Sequence, residues 1–182
     1  MATPVKSHTA FVERRPKALR EEYVEYQGGR LRYLVGGDGP PLVLCHGFLG
    51  SAENFEEWFT ALLPRRRLVI PDLPGCGASM PLAGPHTADA LACAVAALVD
   101  DLCIERFDLG GLCLGGSVAQ SLLRQRGTAV DRLIVHTPLL APHLVRRRFR
   151  AQVALATAPG VFALSAWLAR QRVVSDLYKR FI

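Results

Sequence analysis

A mostly parallel α/β sheet is the fold class this sequence predicts, and three observations predict it. Short apolar runs of strand type alternate with amphipathic helical stretches through residues 21–140. Two of those runs, Leu42-Val43-Leu44-Cys45 and Leu68-Val69-Ile70, are apolar at every position, as strands covered on both faces are. A third, Phe107-Asp108-Leu109-Gly110, passes into a helical stretch through glycines with almost no loop between them.

Taken in order, residues 21–27 and 30–36, separated by Gly28-Gly29, predict an antiparallel hairpin, with Leu31, Tyr33 and Val35 on one face of its second strand. The run at 42–45 is the third strand. Ser51 then caps a helix whose Phe55, Trp58, Phe59 and Leu62 fall at helical spacing before Pro64 stops it. The fourth strand at 68–70 runs into the loop Asp72-Leu73-Pro74-Gly75-Cys76-Gly77. Thr87 can cap the next helix, which carries the stripe Leu91, Val95, Leu98, Leu102. The strand at 107–110 leads through its glycine turn into a helix with Val118, Ala119, Leu122 and Leu123 that ends at Gly127. Leu133-Ile134-Val135 is the sixth strand. This divides the chain into a polar tail over 1–20, a core over 21–140 and a helical segment over 141–182.

Composition narrows the function classes. Half of the 182 residues are apolar and 21% are charged, enough for one sizeable core. The net charge of +6 sits in short arginine clusters, Arg14-Arg15, Arg65-Arg66-Arg67 and Arg146-Arg147-Arg148, with no interleaved aromatics. Solvated faces explain them better than a nucleic-acid partner, which is not expected. The cysteines, Cys45, Cys76, Cys93, Cys103 and Cys113, are odd in number and lack C-x-x-C spacing, so neither a disulfide framework nor a metal site is expected. The N-terminus has no apolar secretory core, which points to the cytoplasm. Residues 151–169 carry no charge, but Pro159-Gly160 interrupts them, so two short buried helices are expected rather than a membrane span.

Chemistry concentrates at Gly110-Gly111-Leu112-Cys113-Leu114-Gly115-Gly116. A strand joined to a helix this tightly forces its central residue to positive φ and needs small neighbours, which Gly111 and Gly115 are. The side chain at the corner projects above the sheet edge, beside unpaired N–H groups and the positive end of a helix, surroundings that suit a nucleophilic sulfur. A small buried apolar cysteine is the plainer reading; the glycine corner argues for a site position.

With these residues the sequence resembles the α/β-hydrolase superfamily, whose nucleophile elbow is G-x-nucleophile-x-G. Three further segments carry the resemblance over roughly residues 21–140: His46-Gly47-Phe48 after the third strand, like the family's oxyanion loop; Asp72 to Ser79, like its D-x-P-G-x-G-x-S loop; and Trp58 on the first crossover helix. The resemblance implies an α/β-hydrolase sheet truncated after its sixth strand, with a partial helical cap over 141–182. It implies Cys113 as nucleophile and the backbone N–H groups of Phe48 and Leu114 as oxyanion hole, with no cofactor. The substrate would be a small apolar ester, thioester or related carbonyl compound. A cysteine elbow is similar to those of dienelactone hydrolases and polyhydroxyalkanoate synthases, whereas the rest of the chain is more similar to cap-bearing esterases and carbon–carbon bond hydrolases.

The remaining candidates read as supports. His46 is expected to orient its loop, not act as a base, and Asp72 to tie down its own glycine loop. His136, at the end of the sixth strand, is expected in the pocket wall. The family's acid and histidine follow its seventh and eighth strands, and no residue after Cys113 stands in that context. Three possibilities stay open: a fragment of a complete hydrolase, which is preferred; one half of a complemented pair; or a non-catalytic descendant that binds a small ligand or a partner. A sheet ending at its sixth strand would also leave an apolar edge open to association.

Overall fold

The computed structural model describes residues 19–138, so the expected cap over 141–182, the uncharged segment 151–169 and nearly all of the N-terminal tail lie outside the described residues. Within them, six strands form one sheet in the order β1-β2-β4-β3-β5-β6, antiparallel across β1-β2-β4 and parallel across the rest.

The hairpin of β1 (Arg20–Tyr26) and β2 (Gly29–Gly36) turns one residue earlier than Gly28-Gly29 suggest. Tyr26 pairs with Gly29, leaving Gln27 and Gly28 as the loop, both at positive φ (50° and 76°). That is the primed geometry whose twist matches the flanking strands. Alternation along β2 sends Leu31, Tyr33 and Val35 into one half of the core and Leu34 into the other. Arg32 shares the parity of Leu34 and is buried, a position that sequence reasoning left unremarked.

The centre of the sheet is β3 (Pro41–Cys45), flanked by β4 (Arg67–Pro71) and β5 (Phe107–Leu112), both parallel to it. Because these strands are apolar on both faces, each face needs a cover. On one side a single 3-10 turn (Ala52–Phe55) leads into α1 (Glu56–Leu62), and Phe55 and Phe59 pack with Leu34, Leu42, Leu44, Leu68 and Ile70. Sequence periodicity treats this stretch as one helix, but its first turn tightens because the Asn54 side chain accepts the Ser51 N–H at 2.8 Å. Trp58 stands on the outer side of α1, 43% exposed, edge-on to Phe55.

On the opposite face lie α2 (Ala88–Asp101) and α3 (Leu114–Arg126), whose Leu91, Val95, Leu98, Val118 and Leu122 meet Val43, Val69 and Leu109. Each such side chain contributes about 1.5–3 kcal/mol when fully buried. Thr87 caps α2 by accepting the Ala90 N–H at 3.1 Å. Gly127 ends α3 with φ −52°, so no left-handed glycine closes this helix. Ion pairs from Arg124 to Asp89 and from Arg126 to Asp100 tie the last turn of α3 to α2.

The sixth strand, β6 (Val130–His136), extends well beyond Leu133-Ile134-Val135 and pairs in parallel with β5. No described strand pairs with its outer edge, and Ile134 is 64% exposed. Between β6 and α1 an apolar groove of about 450 Å³ is lined by Leu44, Phe55, Trp58, Leu112, Ile134 and Val135 among others. Among the described residues no helix is long and apolar enough to cross a membrane.

The Thr87 cap gives a direct test of the α2 assignment. Thr87→Ala leaves the Ala90 N–H without its acceptor, and urea unfolding followed by circular dichroism should show a loss of about 1 kcal/mol. An unchanged midpoint would mean that the cap is not made in solution.

Candidate functional site

The site begins where β5 meets α3. Cys113 is the single residue between them, with φ 52° and ψ −113°, a backbone conformation that a non-glycine residue adopts only when its surroundings enforce it. The surroundings are backbone. A Cβ on Gly111 would stand 2.2 Å from the Gly115 carbonyl oxygen, and one on Gly115 would stand 2.1 Å from that of Cys45 and 2.5 Å from that of His46. The start of α3 is thus pressed against the end of β3, and only glycine allows the approach. The Cys113 N–H donates to the His136 carbonyl at 2.9 Å, and the Cys113 carbonyl accepts the Gly116 N–H at 3.1 Å. The thiol, half-buried, is carried at the C-terminal edge of the sheet.

The segment after β3 lies against this corner: a Cβ on Gly47 would come within 3.4 Å of the Cys113 Cβ. It turns tightly, with the Gly50 N–H donating to the Gly47 carbonyl at 3.1 Å and Leu49 at φ 55°. Among the described residues no acceptor takes the Phe48 N–H or the Leu114 N–H. One of these donors lies in the loop whose Gly47 abuts Cys113, the other at the start of the helix that follows Cys113. The Phe48 and Leu49 side chains project outward, 46% and 62% exposed.

His46 is fully buried and fully used. Its Nε2 accepts the Leu73 N–H at 2.9 Å, which places the proton on Nδ1, and Nδ1–H donates to the Gly47 carbonyl at 2.8 Å. Burial pushes its pKa down, against the smaller upward pulls of the Gly47 carbonyl and of Asp72. A neutral imidazole with both nitrogens engaged holds a loop; it has no lone pair to offer a thiol.

Asp72 is equally committed. One carboxylate oxygen accepts the Ala52 N–H at 2.7 Å; the other accepts the Ala78 N–H at 2.9 Å and Arg32 Nη1 at 2.7 Å. Ser79 Oγ donates to the Asp72 carbonyl and accepts the Arg32 N–H. Arg32 goes on to Glu53 at 2.5 Å and Glu21 at 3.0 Å, so one buried guanidinium gathers β1, β2, the turn before α1 and the loop after β4. Neither Arg32 nor Glu53 is a residue that motif reading selects. The signal for them is an arginine at an inward position of an apolar strand, which requires buried carboxylates.

His136 stands apart. Its carbonyl supports the elbow, while its exposed ring has Nδ1 3.2 Å from Thr137 Oγ1. It lines the groove between α1 and β6, and Cys113 does not. Among the described residues no cluster of three or more His, Cys, Asp or Glu side chains is arranged to hold a metal.

Two predictions test this construction. Gly115→Ala drives a methyl group into two carbonyls that cannot move independently, so it should abolish cooperative folding or cost at least about 3 kcal/mol; a fold as stable as wild type would refute the close approach. The second concerns acid. Burial raises the Glu53 pKa, but hydrogen bonds from Arg32 and Ser51 outweigh it and hold the group at about 2 against an ordinary 4.5. Because the folded value lies below the unfolded one, the unfolded chain takes the proton first. The stabilisation is complete above the ordinary value and is lost as pH falls from about 4.5 toward about 2. Glu53→Gln should flatten the stability profile over that window, by on the order of 2–3 kcal/mol.

Comparison with known proteins agrees with the geometry. A family model described as the alpha/beta hydrolase fold matches residues 40–158. The chain is 41% identical over 109 residues to the dihydrolipoyllysine-residue acetyltransferase component of the acetoin cleaving system of Pseudomonas putida, covering 58% of this chain and 29% of that one. To haloalkane dehalogenase 2 of Mycobacterium tuberculosis it is 31% identical over 108 residues, covering 59% and 38%. Among solved structures, the epoxide hydrolase CorEH superposes with a TM-score of 0.63 at 29% identity, over 64% of this chain and 41% of that one. Cfl2 from Burkholderia cenocepacia gives 0.70 over 82% and 55%, and its 23% identity speaks to the fold alone. The chain thus spans about a third to a half of the length of these proteins. The family match takes in β3 to β6, the loop at His46 and the elbow at Cys113, and the chain belongs to the α/β-hydrolase family.

Proposed function

We propose that this chain carries the nucleophile-bearing part of a hydrolase that acts on a small apolar ester, thioester or related carbonyl substrate through an acyl intermediate on Cys113. The observation that carries the reading is the pair of free N–H groups, of Phe48 and Leu114, beside a cysteine held at positive φ. The Cys113 sulfur attacks the carbonyl carbon, and the electron pair moves onto the oxygen, which the two N–H groups receive. Collapse expels the alcohol or thiol with a proton and leaves an S-acyl cysteine; water then releases the carboxylic acid and restores the thiol. One such donor is worth about 3 kcal/mol of barrier in a comparable site. The sulfur and the two N–H donors belong to the chain itself, a histidine of the complete enzyme relays the thiol proton to the leaving group, and the scheme calls for no cofactor.

Release of the acyl group needs a base to activate water, and His46 has no free nitrogen for it. The complete enzyme in this reading supplies a histidine from outside residues 19–138. Relatives named as a haloalkane dehalogenase and an epoxide hydrolase support hydrolytic use of the scaffold. The outer edge of β6, which no described strand covers and where Ile134 and Val135 are exposed, belongs to the same proposal as a surface for association.

The expected behaviour of the 182-residue chain is stoichiometric acetylation of Cys113 by p-nitrophenyl acetate with little steady-state turnover, read by intact mass and peptide mapping. Cys113→Ala should abolish that label. A label that persists in the variant, or saturable ligand binding with no covalent label, would end the assignment and favour a non-catalytic binding role. Sustained turnover dependent on both Cys113 and His136 would show instead that the described part is catalytically sufficient.

A further inference from the structure

Among the described residues nothing accepts the Phe48 N–H, so its direction is set from the other end of its own peptide. A trans peptide is planar, and the Gly47 carbonyl and the Phe48 N–H point to opposite sides within that one plane. Whatever holds the carbonyl therefore aims the N–H. Two donors hold it, His46 Nδ1–H at 2.8 Å and the Gly50 N–H at 3.1 Å. The first comes from the adjoining residue. The second closes a four-residue turn across the loop, with Phe48 and Leu49 at its centre.

That turn needs outside support. Leu49, at φ 55°, takes the left-handed place that turns of this kind normally give to glycine or asparagine, and a leucine stays there only when its neighbours enforce it. The support comes from Asn54. Its Oδ1 accepts the Ser51 N–H at 2.8 Å, and a Cβ on Gly50 would collide with the same oxygen. One side chain thus fixes the Gly50–Ser51 peptide and sits against the glycine whose N–H closes the turn. Asn54 is itself firmly mounted: its N–H donates back to the Ser51 carbonyl at 3.0 Å, and in the same 3-10 turn the Ala52 N–H donates to Asp72 at 2.7 Å while Phe55 is buried. Asn54 is exposed and belongs to neither half of the core.

We propose that Asn54 is a positioning residue for the oxyanion loop: by holding the Gly50–Ser51 peptide it keeps the Gly50 N–H on the Gly47 carbonyl, and so keeps the Phe48 N–H aimed at the oxygen of a substrate on Cys113. The inference rests on the reading of Phe48 as an oxyanion donor. Asn54 takes no part in bond making. Its effect belongs only to reactions that develop negative charge on a carbonyl oxygen.

That last property supplies the test, because Cys113 can be modified in two ways that differ in this respect. Acetylation by p-nitrophenyl acetate passes through an oxyanion, whereas alkylation by iodoacetamide displaces iodide and forms none. Both rates are measured at Cys113 by peptide mapping on the full chain, for wild type, Asn54→Ala, Asn54→Leu and Asn54→Asp, with circular dichroism as a check on folding. Alanine removes the acceptor; leucine removes it while keeping a side chain of similar shape against Gly50, which covers the case in which alanine loosens the whole turn. Each should lower the ratio of acetylation to alkylation about fivefold, less than the roughly 10²–10³ typical of deleting a donor outright, because the Phe48 N–H remains present but poorly aimed. Aspartate retains the acceptor oxygen, and in about 1 M salt, where the Debye length is ~3 Å, its added charge is screened. It should keep at least half of the wild-type ratio. A ratio within about twofold of wild type in both the alanine and leucine variants overturns the proposal. So does a fall in the aspartate variant as large as that in alanine, since the acceptor would then not be what matters. A parallel fall in both rates also overturns it, because this would show a general effect on thiol access. If wild-type Cys113 is alkylated but never acetylated, the reading of the site fails and this inference falls with it.

Discussion

The contact between the start of α3 and the end of β3 is the constraint on which the site depends. Gly115 lies where any side chain would strike the Cys45 and His46 carbonyls, and Gly111 lies where any side chain would strike Gly115. Two consequences follow from one close approach. The helix starts directly beneath the strand end, so Cys113 has no choice but positive φ, and its side chain is turned out of the sheet. The segment after β3 is brought alongside that side chain, with Gly47 against Cys113. The strain at Cys113, of order ~1–3 kcal/mol, is offset by the packing of α3 and β5 into a shared core, through Leu109, Val118 and Leu122.

A second constraint works at right angles to the first. The loops that follow β3 and β4 carry many glycines, and apart from Leu73 in the core they expose most of their apolar side chains, so burial alone does not fix their paths. A charged centre does so. Arg32 projects from the apolar strand β2 into the space between these loops, and Asp72, Glu53 and Glu21 close on it. Desolvating a guanidinium costs several kcal/mol, which makes such a group poor evidence for net stability. Its value lies in direction: Asp72 accepts from Ala52 and Ala78 as well, and each bond specifies where one loop backbone must run. A hydrophobic cluster in the same place would fill the space without fixing those orientations.

The sheet is legible in the sequence where strands are apolar on both faces and bounded by turn residues, as at β3 and β4. The elbow is legible because glycines at 111 and 115, set between a strand and a helix with no loop, fit a close backbone approach and little else. The ends of elements are less so. The hairpin turn falls on Gln27-Gly28 because strand pairing, not local glycine content, sets the register. The extra length of β6 comes from pairing with β5 at Val130 and Arg132 across a register shift at Asp131, and neither Asp131 nor Arg132 carries an apolar strand signal of its own. His46 and Asp72 can be singled out by motif, but the partners that define their roles cannot. Leu73, Ala52 and Ala78 contribute through backbone N–H groups, and a backbone group leaves no trace in residue identity. Arg32 is the exception, since a lone charge at an inward position of a strand implies a compensating cluster before its members are known.

In the proposed acyl-transfer cycle, the described residues serve the two halves unequally. Forming an S-acyl cysteine requires a placed sulfur and donors for the oxyanion, which the proposal draws from residues 45–49 and 111–116. Releasing it requires a proton acceptor beside water. Of the described histidines, His46 has both nitrogens engaged and His86 accepts the Leu82 N–H through Nε2. His136 retains an open nitrogen, yet it meets the elbow through its carbonyl while its ring is exposed to solvent. Asp72 cannot substitute, because its carboxylate already takes three donors. The buried groups that could act as a base are thus spent on holding the geometry around Cys113. The same polar side chains cannot both fix these loops and leave a lone pair free, so the proposed cycle draws its base from a different element than those that shape the elbow.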